Sequence, residues 1–188
     1  MANNVYNYFT VFGSEKVLAV VDGWWKKLKV VQGNDDLRVH RAKISEVIYG
    51  VEQGGIDLDF GSKWLEYEEE FSFCSAWGPP NQFQDHMLIS LCKIDPNVIV
   101  ANSYNNEDGS AGFRYVVLND KGEVDDSACY EVSSDDFDTD EEDWMEEVEV
   151  QCVKYEYEYL CDLVDAYERL APYLESRIEN LRNSAEGE

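Results

Sequence analysis

The sequence predicts an α+β fold: a mainly antiparallel sheet with two helices on one face, in ferredoxin-like order, then an acidic segment and a long C-terminal helix. Two observations carry this. Through residue 123, short β-branched and aromatic runs alternate with two stretches of apolar residues at helical spacing, in the order β-α-β-β-α-β-β. Beyond them, an acid-rich stretch leads into an apolar stripe of heptad type. A chain of 188 residues can bury one good core and carry an appendage. The expected organisation is a ferredoxin-like domain over residues 1–123, with the acidic segment and helical extension of residues 124–188 packed on it.

The elements follow from local chemistry. Val5–Phe12 (VYNYFTVF) is dense in strand-forming residues and stops at Gly13. Ser14 is placed to cap a helix and Glu15 lies in its first turn, where the helix dipole favours an acid. Val17, Leu18, Val21, Trp24, Trp25 and Leu28 continue it to about Lys29. Gly33-Asn34-Asp35-Asp36 is a turn cluster, and Ile44–Val51 is predicted as a strand. After Gly54-Gly55 and Gly61, Lys63–Ser75 reads as a long strand, with Phe71, Phe73 and Ser75 on one face. Gly78-Pro79-Pro80 ends it. Asn81 is expected to cap a helix reaching about Cys92 through Phe83, Met87, Leu88 and Leu91. Asp95-Pro96-Asn97 turns into a hairpin of Val98–Tyr104 and Gly112–Leu118, joined across Asn105–Ser110, where Asp108-Gly109 is a strong turn signal. Asn119-Asp120-Lys121-Gly122 then turns into a further strand or an extended tail.

In the last third, alternation returns at Val148, Val150, Cys152 and Val153. Lys154–Asn183 is predicted helical, with Leu160, Val164, Tyr167, Ala171, Leu174, Ile178 and Leu181 forming the stripe. Pro172 should kink or split that helix. The stripe is either a homodimer seam or a surface packed on the sheet, and the Tyr and Ala at seam positions favour the second.

Gly61-Ser62-Lys63-Trp64, then Phe71-x-Phe73-x-Ser75-Ala76-Trp77-Gly78-Pro79-Pro80, a helix and the Tyr104–Gly112 turn region resemble the YubB ferredoxin-like domain family of plasmid and bacteriophage proteins. The resemblance spans about residues 1–123, and its specific part lies between Gly61 and Gly112. The sequence departs from the family between Lys29 and Gly55, where the proline-rich approach to the sheet is missing, and the last third has no counterpart. The resemblance implies a fold and a mobile-element setting; the family brings no activity with it.

Charge narrows the functions. Net charge is −25, and it is uneven. Up to Lys43 there are seven basic residues and four acids, so the remainder carries −28. Such a field attracts cationic protein surfaces and repels phosphate backbones, which argues against direct nucleic-acid binding. The acids peak at Asp135, Asp136, Asp138, Asp140, Glu141, Glu142, Asp143, Glu146, Glu147 and Glu149, with Trp144 among them. These eleven residues form the predicted partner-binding site. Carboxylates at that density can imitate DNA phosphates, and aromatic anchors such as Phe137, Trp144, Tyr155, Tyr157 and Tyr159 would add specificity. The three tyrosines can equally pack on the domain.

Catalytic signals are thin. His40 and His86 have no sequence neighbour forming a nucleophile–base pair, and neither a phosphate-binding Gly-Lys-Ser/Thr loop nor a paired-His metal motif occurs. Asp136-x-Asp138-x-Asp140 with Glu147 matches oxygen-ligand positions of a calcium loop, but Glu141 stands where the turn glycine is needed and Asp143 takes the usual apolar position. No cofactor is expected. The five scattered cysteines and the absence of a signal peptide point to reduced thiols in a host cytoplasm, and no apolar run is long enough to cross a bilayer. The expected function is therefore non-enzymatic: binding the basic, nucleic-acid-binding surface of a host protein, as a nucleic-acid mimic or anti-defence inhibitor. A structural protein dimerising through the C-terminal helix is the alternative, and a divalent-cation-binding protein or enzyme the second alternative.

Overall fold

The structure, a computed structural model, describes residues 4–28, 45–49, 71–76, 78–107, 109–133 and 144–186. Strand β1 (Asn4–Phe12) pairs antiparallel with β2 (Phe71–Ala76) on one side and β3 (Ile99–Asn106) on the other. Because β2 and β3 both run against β1, they are parallel to each other, and helix α2 (Asn81–Cys92) connects them. That split β-α-β unit is the hallmark of a ferredoxin-like sandwich. The predicted hairpin follows as β3 and β4 (Ala111–Leu118), with Val100 opposite Val116. Gly122, at φ 78°, closes the next turn. Beyond it, β5 (Val124–Asp125) and β6 (Cys129–Val132) take successive lengths of β4's free edge. The sheet thus continues past residue 123, where the sequence suggests a boundary.

One face of the sheet is covered by α1 (Glu15–Leu28) and α2. Val17, Trp24 and Leu28 meet Phe83, Met87, Leu88 and Leu91 over Phe9, Val100 and Val116. Asn81 is the first helical residue of α2 and Pro80 stands at its cap, one residue earlier than predicted. Of the strand predicted at Ile44–Val51, Ser45–Tyr49 is instead a single π-helical turn. The reason is packing: the consecutive residues Val47 and Ile48 both reach this core, whereas a strand would send them to opposite faces. The first part of the predicted strand Lys63–Ser75, residues 63–70, lies outside the described residues.

The C-terminal third adds a second helical layer on the opposite face. It comprises α3 (Trp144–Ala166), a 3-10 turn (Glu168–Leu170) and α4 (Ala171–Glu186). Leu160, Leu163, Leu170, Leu174 and Leu181 are buried against Ile99, Ala101, Phe113, Tyr115 and Val117. Each buried leucine contributes roughly 2 kcal/mol of transfer free energy, so this layer is an integral part of the core. Of the apolar stripe, Leu160, Leu174 and Leu181 are buried within the chain, and Val164, Tyr167 and Ile178 pack half-buried on the same core. Pro172 does split the helix, but the break falls at Tyr167–Leu170 and Pro172 sits in the first turn of α4, where its missing N–H is harmless. Val148, Val150, Cys152 and Val153, which alternate in the sequence like a strand, lie within α3.

This double cover explains the strand sequences. Residues 111–117 of β4 are buried without interruption because both faces are packed. In contrast, β1 keeps a strict alternation: Val5, Asn7 and Phe9 are buried while Tyr6, Tyr8 and Thr10 are exposed. The second helical layer covers the β3–β4–β6 side and Phe12 at the end of β1, while Tyr6, Tyr8 and Thr10 on the same side of β1 are exposed.

Candidate acidic interface

Of the predicted partner-binding residues, Trp144, Glu146, Glu147 and Glu149 open helix α3, while Asp135, Asp136, Asp138, Asp140, Glu141, Glu142 and Asp143 lie outside the described residues. Acids suit the start of a helix, where unpaired N–H groups give a positive end. Val148 fixes this start in place. It is buried against Ala111 and Val132, with Tyr130 and Cys152 packed alongside. With Val148 turned inward, Glu146 and Glu149 face solvent.

Two clefts flank these acids. The larger, of about 480 Å³, lies between the start of α3 and the end of α4, and Glu146, Glu149, Lys154 and Ser184 line its polar side. The smaller, of about 130 Å³, lies between the β3–β4 loop and α3, lined by Asn105, Asn106, Ser110, Val148 and Glu149. Glu149 belongs to both.

The acidic surface extends along the helical layer. Between Trp144 and Glu186 eleven acids face four basic residues. Two of the four are engaged internally: Arg177 holds Glu156 through its Nε and Nη2 at 2.7–2.9 Å, and Arg169 donates to the Leu118 carbonyl. Exposed Glu158, Asp162, Asp165, Glu168, Glu175 and Glu179 thus face only Lys154 and Arg182 as exposed cations of this layer. Its outer surface is nearly uniform in sign.

The tyrosines among these acids turn the other way. Tyr130 stacks on Tyr155 at 4.4 Å between centroids, Phe113 meets Tyr159 edge-on at 5.8 Å, and Tyr157 is packed against the same core. Of the two sequence readings for Tyr155, Tyr157 and Tyr159, packing on the domain is the observed one. Phe137 lies outside the described residues.

The buried polar groups serve the fold. Glu156, beneath the helical layer, accepts from Tyr115 on β4 as well as from Arg177 on α4, tying three elements together. Burial opposes the charge on Arg177, but Glu156 and Tyr115 outweigh it and the net effect raises its pKa. On the other face Arg114 pairs with Asp85 at 2.8 Å and Asp126 at 3.0 Å, and Gln84 bonds the carbonyls of Val100 and Arg114. Asn102 donates to Asn7 and Asn7 to Ser75, a polar row across β3, β1 and β2. Tyr104 lies over Gly112 and donates to Glu131; burial first, then that carboxylate, pushes its phenol pKa up. Half-buried His86 sits on α2, and His40 falls outside the described residues. Among the described residues no group of three His, Cys, Asp or Glu is placed to hold a metal ion, and Glu147 is the only calcium-loop position described. No described helix is long and apolar enough to cross a membrane.

The sequence reading misses the exposure of Tyr6 and Tyr8, which are 40% and 43% exposed on β1. Their signal is present in VYNYFTVF, where the polar-tipped aromatics share one parity and Val5 and Phe9 the other. Which parity is buried depends on which strands the helices cover, and this segment does not encode that.

The fold and surface together define an acidic α+β protein with a ferredoxin-like sheet between two helical layers. Comparison of the chain with protein-family models, with curated proteins and with solved structures finds no match.

Proposed function

We propose that this protein is a non-enzymatic, phage- or plasmid-encoded binder of basic protein surfaces, occupying the nucleic-acid-binding face of a host protein. The observation that carries this reading is the helical layer, whose outer surface presents carboxylates while its aromatic and apolar residues face the sheet. A surface of one sign, fixed on rigid helices, speeds encounter with a cationic partner and excludes phosphate-bearing competitors. The resemblance of the Gly61–Gly112 segment to mobile-element proteins supplies the setting, and a host cytoplasm is the corresponding compartment.

The test is capture of DNA- or RNA-binding proteins from a bacterial extract by the full chain, at low and high salt. The expected result is enrichment of such proteins at low salt, displaced by added duplex DNA, with loss at high salt. Recovery of none of them would reject the proposal.

A further inference from the structure

We draw no further inference here: the strongest candidate, the cleft of about 480 Å³ between the start of α3 and the end of α4 lined by Glu146, Glu149, Val150, Val153 and Lys154, adjoins chain that lies outside the described residues, and nothing in the structure shows what covers it.

Discussion

At Gly112 the missing side chain is a packing requirement. A Cβ there would meet the carbonyl oxygen of Tyr130 and lie 2.7 Å from the Tyr104 hydroxyl oxygen. Gly112→Ala should therefore lower stability by about 3 kcal/mol through overpacking against backbone, read as a shift in urea midpoint. Asp125 gives a pH-dependent case. It accepts hydrogen bonds from the Tyr167 hydroxyl and the Ser127 N–H, which hold its pKa below the ordinary aspartate value. A lowered folded pKa stabilises above the unfolded aspartate pKa, and that contribution is lost as pH falls through the folded value. Asp125→Asn should thus cost about 1 kcal/mol at pH 7, limited by solvent screening, and the gap to the parent should close in acid. Neither role is readable locally, because Tyr104, Tyr130 and Tyr167 arrive from other parts of the chain.

Among the elements, the helical layer depends on one buried charge. Glu156 is 5% exposed, and Arg177 is the cation that compensates it. Arg177→Met should destabilise by about 3 kcal/mol, since it strands a carboxylate in the core; the double variant with Glu156→Gln should recover most of the loss. Urea unfolding of the three proteins measures both effects. Element types were largely legible in the sequence: β1, α1, α2, the β3–β4 hairpin and the C-terminal helices all follow its periodicity. The strand predicted at Ile44–Val51 fails because Val47 and Ile48, adjacent in sequence, both pack on one core, which a period of two does not allow. The break at Tyr167–Leu170 lies just before Pro172, as the sequence predicts, and Arg169 within it donates to the carbonyl of Leu118.

For the molecule as a whole, self-repulsion at −25 should dominate the response to salt. Raising sodium chloride from about 10 mM to about 0.5 M shortens the Debye length from about 30 Å to below 10 Å and should raise Tm by about 4 °C, as followed by circular dichroism. The acidity of the candidate interface was plain from composition, and Glu146 and Glu149 do lie on the surface. The exposure of Tyr6 and Tyr8 was not legible, because it depends on which strands the helices cover.

The helical layer that closes the second face is made after the sheet that it covers. Ile99, Phe113, Tyr115 and Val117 leave the ribosome several seconds before Leu174 and Leu181 exist to cover them, at ordinary elongation rates. The nascent sheet therefore spends that interval with an apolar face bare, a substrate for chaperones and for its own neighbours. A chain stopped at Ser133 should keep this exposure permanently and accumulate in inclusion bodies, whereas the full chain should partition to the supernatant when expressed at the same level.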